Sequence, residues 1–242
     1  MGSIQKMGKL YLIPTPLGEG EGLEEFPPQT VEIIRSLHHF IVEKEKTARR
    51  FVRKAGHPLP IRSLSFYEME KYRQMDAYAL LESCRMGHDT GLMSEAGAPC
   101  VADPGGRVVE KAHDMGIEIV PLVGPSSLLL AMMASGMNGQ RFAFVGYLTS
   151  KREALAAEMK KLEQRSAKNN ETILFIETPY RNRQILEVAK TALRGDTRFG
   201  LAANLLHEEK QCIRTRPIRD WRKKGFPDLY KIPTVYSLFA GR

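Results

Sequence analysis

The feature that most constrains this chain is a repeated order of short apolar run, glycine- and proline-rich loop, and helical segment. Residues 10–13 form an apolar run that ends at Pro14-Thr15-Pro16, and a helix with one apolar face is predicted from Pro28 to about Leu37. Similar apolar runs recur along the first half of the chain, at residues 40–42, 90–93 and 117–122. Charged or amphipathic helical segments follow them, at residues 44–54, 106–115 and 127–135. Such an alternation predicts a mostly parallel sheet with helices on its faces.

The second half of the chain has a different pattern. Strands are predicted at residues 142–147, 172–176 and 199–205, with helices at 151–166 and 181–193. Residues 212–216 and 235–239 also have strand patterns, with little helix between them, which favours a mixed sheet with antiparallel hairpins. A further helix is expected over residues 70–86. We therefore expect an α/β fold of two domains, residues 1–122 and 123–242.

Charge and cysteine content limit the classes of partner. The net charge of +8 attracts polyanions, and RNA, DNA and a polycarboxylate small molecule all qualify. The three cysteines are far apart and the histidines are scattered, so we expect neither a disulfide framework nor a metal site. No apolar run reaches the roughly 20 residues of a membrane span. The start of the chain lacks the pattern of a secretory signal, which predicts a cytoplasmic protein.

Three loops rich in small residues follow predicted strands, where ligands bind in open α/β sheets. We name them the first loop (residues 14–22), the second loop (94–106) and the third loop (124–127). The glycines at 18, 20 and 22 do not fit a dinucleotide fingerprint, because Glu19 and Glu21 would repel a pyrophosphate. A P-loop motif is also absent from the sequence. The helix start in the third loop suits a carboxylate as well as a phosphate. S-adenosylmethionine, with an adenosine, one carboxylate and no phosphate, would satisfy all three loops.

Five segments of the sequence resemble motifs of the tetrapyrrole methylase superfamily. They are LYLIPTPLG at 10–18, SEAGAPCVADPG at 94–105, PLVGPSS at 121–127, FVGYL at 144–148 and ETPYR at 177–181. Their order and spacing resemble most closely the branch that methylates a cytidine of 16S ribosomal RNA on its ribose 2′-oxygen. The resemblance implies two α/β domains that hold S-adenosylmethionine in the cleft between them, and a homodimer.

The resemblance also implies a set of cofactor contacts. They map onto Pro14 of the first loop, onto Gly97, Ala98, Pro99 and Val101 of the second loop, onto Ser126 and Ser127 of the third loop, and onto Glu177 and Thr178. The segments outside these motifs depart from the ribosomal RNA branch. Glu19 replaces an asparagine, and residues 43–47 and 203–207 differ from the branch's motifs. Methyl transfer is therefore better supported than the identity of the acceptor.

A ribose hydroxyl must lose its proton during methylation, and a positioned base would accept it. Glu177, Glu43 and His207 are the candidates, and Glu177 is the predicted catalytic residue because it ends a strand near the expected cleft. Hydrogen bonding to a backbone loop is the alternative role for Glu177. Pairing with Lys44 and Lys46 is the alternative for Glu43, and a surface location is the alternative for His207.

Two basic segments, residues 44–54 and 210–231, predict an RNA-binding surface. The second is interleaved with Trp221, Phe226 and Tyr230, and cations beside aromatic rings suit looped or single-stranded RNA. The predicted RNA contacts are Arg49, Arg50, Arg222 and Lys223. Three functions stay open: a ribosomal RNA 2′-O-methyltransferase, a methyltransferase of an acidic small molecule such as a tetrapyrrole, and a non-catalytic cofactor- or RNA-binding protein.

Overall fold

The structure of the protein is a computed structural model that describes residues 6–18, 23–69 and 77–241. The chain divides into two compact units, residues 1–126 and 127–242. The sequence predicts a domain boundary after residue 122, four residues before this division, and that boundary stays a prediction.

The first unit alternates strands and helices from its start. Its strands are β1 (Leu10–Ile13), β2 (His39–Val42), β3 (Ser65–Glu68), β4 (Thr90–Met93) and β5 (Ile119–Pro121). Its helices are α1 (Pro28–Ser36), α2 (Glu45–Lys54), α3 (Ala77–Leu80), α4 (Glu82–Arg85) and α5 (Gly105–Asp114). Pro28 opens α1, where proline is favoured because its missing N–H would have no partner in the first turn.

The five strands form one sheet in the order β3-β2-β4-β1-β5, and every neighbouring pair is parallel. This confirms the parallel sheet predicted for the first half. Successive side chains point to opposite faces of the sheet, and the central strand β4 is buried on both. Phe40 and Val42 pack with α1 and α2 on one face, and Ile41 packs with α3 and α5 on the other. The carboxyl ends of β1, β2 and β4 therefore meet at one edge.

The second unit contains the remaining elements. Its strands are β6 (Phe142–Tyr147), β7 (Thr172–Ile176), β8 (Arg198–Ala203), β9 (Cys212–Pro217) and β10 (Thr234–Phe239). Its helices are α6 (Ser127–Ser135), α7 (Arg152–Asn169), α8 (Asn182–Ala192) and α9 (Ile218–Lys224). The sheet order is β6-β7-β10-β8-β9, with β6 parallel to β7 and the other pairs antiparallel, as the predicted mixed sheet requires.

The core of the second unit lies mainly on one face of its sheet. Phe175, Phe199 and Tyr236 stack there under α7, α8 and α9. Trp221 of α9 is fully buried in this cluster, and its Nε1 donates a hydrogen bond of 2.8 Å to the carbonyl oxygen of Phe199. A smaller cluster around Ala131 places α6 on the opposite face.

Three elements differ from the sequence-based expectation. Strand β3, with a 3-10 turn before it at Ile61–Ser63, was not predicted, because its half-buried pattern has no clear alternation. Helix α9 lies where little helix was expected between β9 and β10. The helix expected over residues 70–86 begins outside the described residues, and its described part forms the short helices α3 and α4.

Candidate functional site

The first and second loops are joined by a pair of backbone hydrogen bonds. Thr15 and Gly97 form an isolated antiparallel bridge, with N–O distances of 2.9 and 3.0 Å. The buried hydroxyl of Thr15 also donates to the carbonyl oxygen of Ser94, at 3.3 Å. Because β1 and β4 are neighbours, the loops after them leave the sheet side by side, and this bridge fixes their separation. Pro14, a predicted cofactor contact, is buried between Ile13 and Thr15 in this region.

The second loop has an unusual backbone. Gly97, Cys100 and Ala102 have positive φ values of 76°, 69° and 63°. Glycine adopts this region freely, whereas cysteine and alanine are strained there, and such strain concentrates at ligand-binding sites. Val101 lies between the two strained residues with its side chain exposed, while Pro99 is buried. The loop therefore presents an apolar side chain to solvent on a rigid backbone.

Asp103 holds the second loop in this shape. Its Oδ1 accepts a hydrogen bond of 2.7 Å from the N–H of Gly105, where α5 begins. Its Oδ2 is buried and has no hydrogen-bond partner among the described residues. Burial raises the pKa of Asp103, and backbone N–H groups, first that of Gly105, partly offset the rise. Burial also raises the pKa of the neighbouring Cys100 thiol to about 12.

The third loop approaches the other two within the first unit. A Cβ atom added to Gly124 would lie 2.6 Å from Cβ of Pro14, so only glycine allows this contact. A Cβ atom on Gly97 would lie 3.8 Å from the carbonyl oxygen of Pro125 and 3.1 Å from the side chain of Leu17. The three loops thus meet in space, as their placement after neighbouring strands predicts.

The predicted carboxylate site lies at the end of the third loop. Ser126 and Ser127 are half-buried, and Ser127 is the first residue of α6. The first turn of α6 contains no acidic residue. The N–H groups of a helix start favour a negative charge, so these residues suit a carboxylate.

A cavity of about 280 Å³ opens beside the first loop. Thr15, Ser94 and Glu95 line it from the loops, and Arg50 and Phe51 line it from α2. The cavity combines apolar surface, hydroxyl groups and a cation at the carboxyl edge of the sheet. Such a mixture is typical of small-molecule sites.

Glu43 lies at the same edge, directly after β2. Its Oε2 accepts a hydrogen bond of 3.0 Å from the N–H of Glu95, whose own carboxylate pairs with Lys44 at 2.7 Å. Burial raises the pKa of Glu43, and the negative charges of Glu95 and Asp103 act in the same direction. Its Oε1 has no hydrogen-bond partner among the residues described here. Glu43 is therefore a half-buried carboxylate with one oxygen available.

Glu177 in the second unit has a different environment. Its side chain is 0% exposed and forms an ion pair of 2.8 Å with Arg181. Its Oε1 accepts a hydrogen bond from Leu148 N and its Oε2 accepts one from Thr178 N, and Arg181 Nη1 donates to both oxygens. Burial raises its pKa, while Arg181 and the two N–H groups oppose the rise. These contacts tie the end of β7 to the segment after β6, which is the alternative role considered for this residue.

The remaining predicted site residues are placed separately. Thr178 donates its N–H to Glu177 and begins the 3-10 turn Pro179–Arg181. Ala98 is half-buried in the second loop. His207 lies in an exposed turn after β8. Among the residues that the structure describes, no group of three or more histidine, cysteine or acidic side chains could hold a metal ion.

Two of the four predicted RNA contacts are held by other described groups of the protein, and two are not. Arg49 pairs with Glu45 at 2.7 Å and lies 4.8 Å over the ring of Phe66. Arg222 donates to two carbonyl oxygens at the end of α8, at 2.9 and 2.7 Å. Arg50 and Lys223 are exposed, and no hydrogen bond or ion pair connects either to another described residue. The second pair is therefore the one available to a polyanion.

Sequence reasoning missed two residues that shape this site. Thr15 supplies the bridge between loops, and Asp103 fixes the second loop. The sequence signal for Asp103 was its position before Pro104 and Gly105 at a helix start, where an aspartate accepts backbone hydrogen bonds. Thr15 had no local signal, because its partner lies far along the chain.

Comparison with known proteins adds a family and several relatives. The model of the family "Tetrapyrrole (Corrin/Porphyrin) Methylases" matches residues 9–218. Ribosomal RNA small subunit methyltransferase I of Bacillus subtilis is 29% identical over 208 residues, which cover 86% of this chain and 67% of the relative. The protein of that name from Pseudomonas aeruginosa is 26% identical over 217 residues, covering 88% and 73%. That from Micromonospora olivasterospora is 31% identical over 210 residues, covering 86% and 63%.

Solved structures with the same fold are also methyltransferases. The methyltransferase CobJ has a TM-score of 0.60 at 21% identity, with 96% of this chain and 94% of that chain covered. Uroporphyrin-III-C-methyltransferase from Thermus thermophilus has a TM-score of 0.55 at 15% identity, with 96% and 92% covered. At these identities the likeness supports the fold alone. It confirms the expected two-domain α/β architecture.

Proposed function

Because this chain belongs to the tetrapyrrole (corrin/porphyrin) methylase family and is a methyltransferase, we propose that it methylates small-subunit ribosomal RNA with S-adenosylmethionine as donor. The observation that carries this proposal is the family match, together with ribosomal RNA methyltransferase relatives that match 86% and 88% of this chain. We further propose a ribose 2′-hydroxyl as the acceptor, from the resemblance of the sequence motifs to that branch. A homodimer in the cytoplasm belongs to the same proposal.

We place the cofactor on the first, second and third loops. The exposed side chain of Val101 and the half-buried Ala98 offer apolar surface to an adenosine. Ser126 and Ser127 offer helix-start N–H groups to a carboxylate. Gly97 and Pro99 complete the predicted contacts in the second loop, and Glu177 and Thr178 stay predicted contacts from the second unit. Bound S-adenosylmethionine would supply an electrophilic methyl group on sulfur.

The chain's own contribution to methyl transfer is alignment and proton acceptance. Holding the acceptor in line lowers the barrier by up to about 7–11 kcal/mol in favourable cases. Of the three candidate bases, the contacts favour Glu43 over Glu177. Glu43 has an available oxygen and a pKa that burial raises above its ordinary value, the direction that suits a general base. The oxygens of Glu177 already accept hydrogen bonds from Leu148, Thr178 and Arg181.

The decisive experiment incubates the protein and radiolabelled S-adenosylmethionine with small ribosomal subunits that lack native methylations. We expect label in the RNA, at one linkage that resists alkaline cleavage, because a methylated 2′-oxygen cannot attack the phosphate. A parallel reaction with an acidic tetrapyrrole tests the small-molecule alternative. Label in the tetrapyrrole alone would overturn the RNA proposal, and no label in either would favour the non-catalytic alternative.

The cofactor site is tested by Val101→Arg, with Leu59→Arg as a matched control on another exposed apolar side chain of the first unit. Both side chains are exposed, so neither change should lower the melting temperature appreciably. We expect Val101→Arg to weaken S-adenosylmethionine binding at least tenfold by calorimetry, and Leu59→Arg to leave it unchanged. Equal affinities in the two variants would contradict the placement.

A further inference from the structure

We propose that Tyr180, Tyr230 and Lys231 form a stacking platform for an unpaired nucleobase of the RNA substrate. This inference rests on the proposed function and names the residues that would recognise single-stranded RNA. The platform is absent from the predicted RNA contacts, all of which are cations. It lies in the second unit, three residues beyond Glu177 at the carboxyl end of β7.

The two tyrosines are large aromatic side chains that the fold leaves in solvent. Tyr180 is 67% exposed and Tyr230 is 44% exposed. Their ring centroids are 6.3 Å apart with an interplanar angle of 79°, an edge-to-face arrangement. In an edge-to-face pair the edge of one ring contacts the face of the other, so the two rings do not cover each other's faces completely. Bases stack on such faces with little regard to sequence, because every base has a π-face.

Lys231 brings positive charge to both rings. Its Nζ lies 5.6 Å from the ring centroid of Tyr180 and 5.3 Å from that of Tyr230. Its backbone has a φ of 63°, the left-handed region that lysine rarely adopts, and its N–H donates to the carbonyl oxygen of Pro179 at 3.1 Å. This strained residue ties the two tyrosine segments together. An ammonium beside a stacked base is well placed to attract the nucleotide's phosphate.

Further contacts hold Tyr230 in place. Arg183 lies 4.7 Å over its ring and pairs with Asp228 at 3.1 Å, and the N–H of Tyr230 donates to the same carboxylate at 3.1 Å. These contacts orient the ring before any ligand binds, so less side-chain entropy is lost on binding. Among the described residues, the ring of Tyr180 contacts the ring of Tyr230 and the Lys231 ammonium, and Tyr180 is the more exposed of the two tyrosines. We therefore expect Tyr180 to contribute the main stacking surface.

Two of the three aromatic residues that the sequence suggested for this role pack inside the second unit. Trp221 is fully buried and stacks on Phe226, with ring centroids 4.6 Å apart. Both belong to the core of the second unit. Tyr230, the third of these aromatic residues, is 44% exposed. Its neighbour Tyr180 lies outside both basic segments, in the sequence ETPYR at 177–181.

The platform is tested with a single-stranded RNA oligonucleotide that contains 5-iodouridine, a photoreactive base. The variants are Tyr180→Ala, Tyr180→Phe and Lys231→Met. Tyr78→Ala is the matched control, because Tyr78 is also 41% exposed with a lysine ammonium 3.8 Å from its ring centroid, in the first unit. Unfolding midpoints and S-adenosylmethionine affinity are measured for each variant, to separate lost binding from lost folding.

We expect Tyr180→Ala to weaken RNA binding by about 5- to 150-fold, the range for loss of one base–aromatic stack. Tyr180→Phe should bind as wild type because the ring face remains, and Tyr78→Ala should also be unaffected. Irradiation should attach the oligonucleotide to Tyr180 or Tyr230. Lys231→Met should reduce the slope of log affinity against log salt by about 0.7, whereas the tyrosine variants should keep that slope.

The outcomes separate this platform from the proposed function. If wild-type protein methylates ribosomal RNA and Tyr180→Ala binds RNA as tightly, the platform is wrong and the function stands. A wild-type protein that neither binds nor methylates RNA overturns both. A folded Tyr180→Phe variant with the same loss as Tyr180→Ala would also overturn stacking, because the hydroxyl would then be the group that matters.

Discussion

Replacing Glu177 by glutamine separates an anchoring role from a catalytic one. The wild-type carboxylate accepts hydrogen bonds from Leu148 N, Thr178 N and Arg181 Nη1, and its side chain is 0% exposed. Glutamine keeps one acceptor oxygen and turns an N–H₂ group towards donors. Breaking a buried ion pair by removing one partner costs about 3–5 kcal/mol. Full burial of Glu177 means that solvent screening does not reduce this figure much.

Urea unfolding followed by tryptophan fluorescence measures this cost. Trp221 is the single tryptophan of the chain, is fully buried, and belongs to the same unit as Glu177. With a slope of about 2 kcal/mol per M, a loss of about 3–5 kcal/mol lowers the midpoint by roughly 2 M. The double variant Glu177→Gln/Arg181→Met should lose less than the sum of the single variants, because no buried guanidinium is left without its partner.

The pH dependence has a definite sign. Burial raises the pKa of Glu177 above its ordinary value of 4.5, so the folded protein binds this proton more tightly than the unfolded chain. The stability that the folded protein gains by binding this proton is fully present below pH 4.5 and is lost as pH rises through the higher folded pKa. The wild type should therefore lose stability relative to Glu177→Gln as pH rises through that window. The cost of about 3–5 kcal/mol is the one measured above the window, where the ion pair with Arg181 is formed.

Glu43→Gln is the matched comparison, a second strand-end carboxylate with one available oxygen. It should lower the rate of methyl transfer by about 10²–10⁴-fold and leave the unfolding midpoint nearly unchanged. An unchanged midpoint for Glu177→Gln together with a rate loss of that size would refute the anchoring role. Glu177 would then be the base that the sequence first suggested.

Three further perturbations test other parts of the site. Cys100 should react slowly with iodoacetamide at pH 8, because a pKa of about 12 leaves about one thiol in 10⁴ as the thiolate. Mass spectrometry measures the labelling, and a rate equal to that of the urea-unfolded protein would contradict this prediction. Gly124→Ala should lower the unfolding free energy by about 1–3 kcal/mol and weaken cofactor binding, because its Cβ would overlap the first loop; unchanged stability and affinity would refute the close contact. Neutralising Arg50 and Lys223 together should reduce the slope of log RNA affinity against log salt by roughly 1 to 2. Arg222→Ala should mainly reduce thermal stability, because Arg222 donates to two backbone carbonyl oxygens. A lower salt slope for Arg222→Ala and lower stability for the double variant would be inconsistent with these contacts.

Local signals in the sequence were enough for most elements and for the loops. The apolar run Leu10–Ile13 with prolines after it predicted β1 and its loop, and the start of α6 at Ser127 was predicted to the residue. Glycine, proline and apolar periodicity act within a few residues, so they can be identified without knowing the fold. The parallel first sheet and mixed second sheet follow from the order of these elements.

Tertiary contacts decided what individual side chains can do. Arg49 and Arg50 are adjacent and chemically identical in sequence, yet one is held by Glu45 and Phe66 while the other is exposed. Strand β3 likewise depends on its pairing with β2, and Thr15 depends on a partner far along the chain. The physical reason is the same in each case. A side chain's availability and a strand's existence depend on groups brought near by folding, and these leave no signal in the neighbouring sequence.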